Sequence, residues 1–183
     1  MEQTKIDIKS EEELLNKPLT AQVLENAIFV DEADYGLVVS HITVSGKYNR
    51  EYKILAFCVQ PNDDRVLVED ELLIICLWSN LLVIDLKADK LIRNIKLDEW
   101  EMFRIFKFKD GYFIHGECEN YYLNKNFDPV WEAGCIDIFV NPKVEKDLEI
   151  FDDYVTVFDW CGYKHYYNEN GEFKTEHYPE YDS

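Results

Sequence analysis

Three stretches of this chain can be laid over one another, at residues 70–91, 110–130 and 152–173, and this weak repeat restricts the fold more than any other feature. Each stretch opens on an acidic residue in a turn: Asp70, Asp110 or Asp152. An apolar or aromatic run follows, Leu72 to Leu77, Tyr112 to His115, and Tyr154 to Phe158. After a short polar or glycine-bearing break comes a second run, Leu81 to Leu86, Tyr121 to Leu123, and Tyr163 to Tyr167. The first runs start 40 residues apart (Leu72 to Tyr112) and then 42 apart (Tyr112 to Tyr154). A period near forty with several short strands per unit suits one propeller blade. One small meander cannot bury its own faces, so copies must stack or curl together. A plain antiparallel meander gives similar spacing, and four units of forty barely fit the chain, which favours a sandwich over a closed propeller. The expectation is therefore an all-β single domain over residues 1–183. It is an antiparallel meander of short strands curled into a sandwich or propeller-like sheet.

Other segments fit that reading. Leu37 to Val44 and Tyr52 to Val59 flank Ser45-Gly46 as a hairpin with a longer loop. Residues 91–97, 103–108 and 136–140 alternate as strands do, and 148–151 can pair before the last unit. With 12 Tyr, 11 Phe and 4 Trp, the composition favours half-buried pleated surfaces. The N-terminal part reads differently. Ile6 and Ile8 suggest a short strand, and Ser10 with Glu13 resembles a capping box opening a helix to about Lys17. A second helical segment is expected from Ala21 to Ala27, with Val23, Leu24 and Ala27 on one side. Asp31 to Asp34 reads as a loop, and residues 174–183 as a polar, frayed tail.

Charge narrows the function. Asp plus Glu is 37 against 19 Lys plus Arg, a net −18, and residues 121–183 carry 14 acidic and 5 basic side chains. A field of that sign repels phosphate backbones and anionic membranes, which argues against nucleic-acid and membrane partners. It attracts a basic protein and speeds the encounter. The five cysteines (Cys58, Cys76, Cys118, Cys135, Cys161) form no CxxC pair, and free thiols in a reducing compartment account for them. The start of the chain lacks an apolar leader run, and Leu72 to Leu86 is too short and too interrupted to span a bilayer, so a cytoplasmic location is expected.

Motifs for catalysis or cofactors are lacking. The histidines His41, His115, His165 and His177 form no HExxH, and His115 with Cys118 is at most one ligand pair, too little for a structural zinc site. Cys161 with His165 lies across a hairpin turn, where cross-strand packing explains it equally well. The seven glycines form neither GxGxxG nor GxxxxGK, so no phosphate cradle is expected. Carboxylate pairs such as Asp63-Asp64 and Asp152-Asp153 are common by chance among 37 acids. The expectation is a non-enzyme with no cofactor and no metal.

Binding is what the composition serves best. The last repeat unit mixes Tyr154, Trp160, Tyr163, Tyr166 and Tyr167 with Asp152, Asp153, Asp159 and Glu169. Aromatic anchors with a polar rim are typical of interfaces. On alternating strands these residues divide between two faces, so some rings should lie exposed beside carboxylates. In size, charge and architecture the chain resembles bacterial immunity proteins. That resemblance implies a tight one-to-one complex with a basic toxin domain, often a nuclease. A structural or scaffold module with small propeller-like repeats is the alternative reading, and an enzyme whose site is assembled from distant residues is the third.

Overall fold

The computed structural model describes residues 5–15, 26–30, 37–57, 63–97, 100–135 and 137–182. It is all-β, with four four-stranded sheets. The chain divides into two compact units, Met1–Glu99 and Trp100–Ser183. Among the described residues helix is limited to two 3-10 turns, Asp63–Arg65 and Pro179–Tyr181.

In the first unit, strands β1 (Lys5–Leu15), β2 (Ala27–Val30), β3 (Leu37–Ser45) and β4 (Arg50–Phe57) form one sheet in the order β1-β3-β4-β2. The expected hairpin is present as β3–β4, whereas β2 pairs parallel to β4. The helix expected from Ser10 is replaced by strand: residues 10–15 continue β1 against β3. A capping box is a local signal of about 1 kcal/mol, and the ladder begun by Ile6 and Ile8 overrides it, running against β3 to Glu11 and again at Leu15 after a register shift. The second expected helical segment and the loop at Asp31 to Asp34 lie outside the described residues, apart from Asn26 and Ala27. Ala27 opens β2.

The second sheet is a plain meander of β5 (Val66–Glu69), β6 (Leu72–Cys76), β7 (Asn80–Asp85) and β8 (Lys90–Lys96). Its inner strands are buried almost throughout, while β8 at the edge is mostly exposed. Asp70 at the β5–β6 turn and Asp89 before β8 have positive φ, 53° and 55°, a conformation that aspartate tolerates better than most residues. One core joins the two sheets. Ile42, Val44, Tyr52 and Ile54 from the first meet Leu73, Ile75, Leu82 and Ile84 from the second. At its margin the Tyr52 hydroxyl donates to Asp89 at 3.0 Å, and Arg50 pairs with the same carboxylate at 3.2 Å.

The second unit repeats the plan. Strands β9 (Met102–Phe108), β10 (Gly111–Gly116), β11 (Glu119–Leu123) and β12 (Pro129–Gly134) make the third sheet. Strands β13 (Leu148–Ile150), β14 (Val155–Phe158), β15 (Tyr163–Asn168) and β16 (Gly171–His177) make the fourth. Each sequence repeat falls on the two inner strands of a sheet, β6–β7, β10–β11 and β14–β15, with one further strand paired on either side. Residues 137–140, expected to extend a strand, are irregular; Asp137 to Val140 instead give single backbone bonds such as Trp160 N to Ile138 O at 2.8 Å.

The core of this unit is aromatic. Phe108, Phe113, Tyr122, Phe139 and Tyr167 pack with Val155 and Val157. Polar groups are buried alongside. His115 is fully buried and its Nδ1 lies 2.8 Å from Asn120 Oδ1. Burial holds this imidazole neutral, pushing its pKa down to about 4, against a smaller opposing effect of the Asn120 hydrogen bond. The unfolded chain then takes up a proton first. Stability is full above the unfolded value near 6.5 and is lost as pH falls toward 4. Urea denaturation is expected to show a loss of about 2 kcal/mol from this group between pH 7 and pH 5. His115→Gln removes that slope, and a slope unchanged by the substitution would show the imidazole is not the titrating group.

The end of the chain, expected to fray, is tied down. Residues 174–177 belong to β16, and Asn141 Nδ2 donates to the carbonyls of Asp159 at 2.8 Å and Tyr181 at 3.0 Å. Gly162, with φ +75°, accepts at its carbonyl from Tyr178 N at 2.9 Å. A side chain there would meet the Tyr178 oxygen at 2.8 Å, so glycine is required both by space and by φ.

Candidate interaction surface

The alternation of β14 and β15 sorts the predicted binding residues onto two faces. Val155 and Val157 point into the aromatic core, and their cross-strand partners Tyr167 and His165 share that side. Tyr154, Phe158, Lys164 and Tyr166 belong to the opposite, outer face. Asp159 and Tyr167, with 1% and 0% exposure, are therefore interior residues and cannot touch a partner directly. Asp159 has a supporting role. Its Oδ1 accepts from the Tyr163 backbone N–H at 2.8 Å, and its Oδ2 lies 3.2 Å from His165 Nε2. The other ring nitrogen of His165 faces Glu172 at 3.4 Å. Tyr163 and Trp160 are half-buried, and Tyr163 stacks on His177 at 4.5 Å. Both ring nitrogens of His165 thus face carboxylates.

Asp152, Asp153, Tyr154, Tyr166 and Glu169 do reach the surface, wholly or in part. Around them stand two rings that pattern reading had left out. Phe151 is 40% exposed and stacks on Tyr154 at 4.6 Å; Phe173 is 53% exposed and meets Tyr154 edge-on at 6.2 Å. Tyr166 closes the group, 5.9 Å from Tyr154 and 6.1 Å from Phe173. The signal for Phe173 was present: a large apolar side chain alone in Glu172-Phe-Lys-Thr-Glu176, a stretch with nothing else to bury.

The charges are arranged around these rings. Glu176 accepts from the Tyr166 hydroxyl at 2.6 Å and the Tyr178 hydroxyl at 2.9 Å, and pairs with Lys174 at 2.6 Å. Those three partners, Lys174 foremost, hold its carboxyl down to about 2. Asp153 pairs with Lys109 at 2.5 Å, and Lys164 with Glu149 at 3.4 Å. Residues 147–182 carry ten carboxylates against two lysines; of the ten, Asp159 is buried and Asp147 is paired with Arg104. Toward the other end of the same sheet a cleft of about 710 Å³ is lined by Lys143, Lys146, Phe158, Lys164, Tyr178 and Tyr181 among others. Among the described residues no group of three or more His, Cys, Asp or Glu is placed to hold a metal ion, and no helix is long and apolar enough to cross a membrane.

No family model matches the chain, and no curated protein does. Solved structures do match. The computationally designed Ika8 protein aligns with a TM-score of 0.54 at 9% identity, covering 80% of this chain and 48% of that one. BBS1N, solved in complex with ARL6DN, aligns with a TM-score of 0.50 at 14% identity, covering 78% of this chain and 50% of that one. The chain thus spans about half the length of the structures it matches. At such identities the likeness is one of fold alone.

Proposed function

We propose that this chain is a non-catalytic protein-binding module of propeller-like architecture that engages a basic protein through the outer face of its fourth sheet. The observation that supports this best is the pair of exposed rings, Phe151 and Phe173, packed on the half-buried Tyr154 within a segment holding ten carboxylates and two lysines. Exposed aromatic anchors supply contact area at little entropic loss. The surplus charge steers a cationic partner toward them. In its narrowest form the reading is that of a toxin-neutralising immunity protein in a one-to-one complex. The scaffold alternative draws its support from the repeated four-stranded sheets.

Salt separates the two. The 183-residue chain is immobilised and the product of the adjacent reading frame is passed over it at 50 and 500 mM salt. For a steered basic partner the association rate is expected to fall about tenfold or more over that range. An association rate that ignores salt favours the scaffold reading. A basic neighbour that fails to bind at any salt concentration overturns the inhibitor reading.

A further inference from the structure

The rings of the fourth sheet differ in what already stands over them. Lys174 Nζ lies 4.8 Å from the centre of the Tyr166 ring, and Lys164 Nζ lies 5.2 Å from Phe158 and 5.8 Å from Tyr166. This face therefore receives ammonium groups on its aromatic rings as a matter of its own structure, and the chain's own lysines occupy Tyr166 and Phe158. Phe151, Tyr154 and Phe173 have no cation over them among the described residues. Phe151 and Phe173 are also the exposed members of the group, and Tyr154 is half-buried between them. Between Phe151 and Tyr154 in the chain stand Asp152 and Asp153, both exposed. Asp153 is paired with Lys109, while Asp152 makes no hydrogen bond or ion pair among the described residues.

We propose that Phe151, Tyr154 and Phe173 form a receptor for an arginine side chain of the partner, with Asp152 as the carboxylate that meets its guanidinium. This rests on the preceding reading, that the partner is basic and docks on this face. The chemistry favours arginine over lysine. A guanidinium is flat, so it stacks on a ring while its edge N–H groups still reach a carboxylate, and it is more weakly hydrated than an ammonium. The near-perpendicular rings of Tyr154 and Phe173 offer one face to stack on and one edge to border it. A purely apolar side chain would fill the same space and leave the acidic surplus without a counterpart.

The test uses the full chain and three blocked peptides: tetra-arginine, tetra-lysine and tetra-citrulline. At 0.5 M salt, diffuse attraction between exposed charges is largely screened, which leaves short-range contacts to discriminate. Binding is followed by NMR shifts of the aromatic rings. Tetra-arginine is expected to bind about fivefold tighter than tetra-lysine, to shift Phe151, Tyr154 and Phe173 most, and to lose about fivefold with Phe173→Ala, while tetra-citrulline does not bind. Asp152→Asn should weaken the arginine peptide in the same direction. Phe173 is exposed, so an unchanged Tm confirms that the variant folds. Equal affinity for the arginine and lysine peptides, with shifts spread over the acidic surface, overturns the arginine site and leaves the basic-partner reading standing. Failure of both cationic peptides to bind even at 50 mM salt overturns both. A dimer in light scattering that Phe173→Asp makes monomeric also overturns the site, since a second copy would then cover these rings.

Discussion

Phe113→Ala is expected to destabilise the second unit by about 4 kcal/mol, at the upper end of what a buried phenylalanine contributes. Phe113 is wholly buried in β10 and touches rings on several sides. It stacks on Phe106 at 5.2 Å and meets Phe108 at 6.5 Å, Trp131 at 5.8 Å and Tyr167 at 5.9 Å. The loss is large because the site collapses poorly. Its neighbours are rigid rings, mounted on strands whose ladders fix the backbone, and Trp131 is further held by its Nε1–H to Glu169 O at 3.2 Å. The cavity therefore stays, and the lost contacts are not replaced. Urea denaturation followed by tryptophan fluorescence measures this, and the midpoint should fall with the slope unchanged. Phe113→Leu, which keeps most of the volume, should lose about half as much. A loss below about 1 kcal/mol for the alanine variant would mean that the rings close over the gap.

Asp159→Ala is the second large effect, about 3 kcal/mol, because it breaks a hydrogen-bonded network in the interior. The carboxylate satisfies the Tyr163 backbone N–H and stands against His165, and all three groups lie at the β14–β15 turn. Truncation leaves the half-buried Tyr163 N–H without its carboxylate acceptor and His165 facing Glu172. Asp159→Asn keeps an acceptor for Tyr163 and should lose clearly less than the alanine variant. Thermal unfolding of the two variants side by side checks this. The alanine Tm should lie about 6–12 °C below that of the parent chain, for a domain of this size. Equal losses for both would assign the effect to packing and not to the hydrogen-bonded network.

What could be read in the sequence divides along physical lines. The inner strands β6, β7, β10, β11 and β14 were legible because both of their faces are buried, and burial demands uninterrupted apolar or aromatic runs, whereas β15 buries only alternate residues and was legible by its tyrosines. The flanking strand β16 is mostly exposed, so its residues 174–177 resembled a polar tail. The N-terminal strand was half legible. Its first residues alternate, but the pairing that carries it through Glu11 to Leu15 comes from β3, more than twenty residues away. At the surface, Tyr154 and Tyr166 were found and Phe151 and Phe173 were not. Asp159 and Tyr167 were assigned to a partner when they serve the core. Alternation fixes which residues share a face, but only the register against the neighbouring strands says which face is covered.

The exposed edge strand β8 has a consequence for how such a chain stays out of trouble. Leu72 to Cys76 and Leu81 to Ile84 are the kind of flat, uncharged, β-rich segments that template amyloid-like stacking. The ribbon that ends their sheet places Lys90, Arg93 and Lys96 along its free rim. With 37 acidic and 19 basic side chains in the molecule, these three exposed cations, divided between the two faces of β8, put charge where a further strand from another molecule would have to pair.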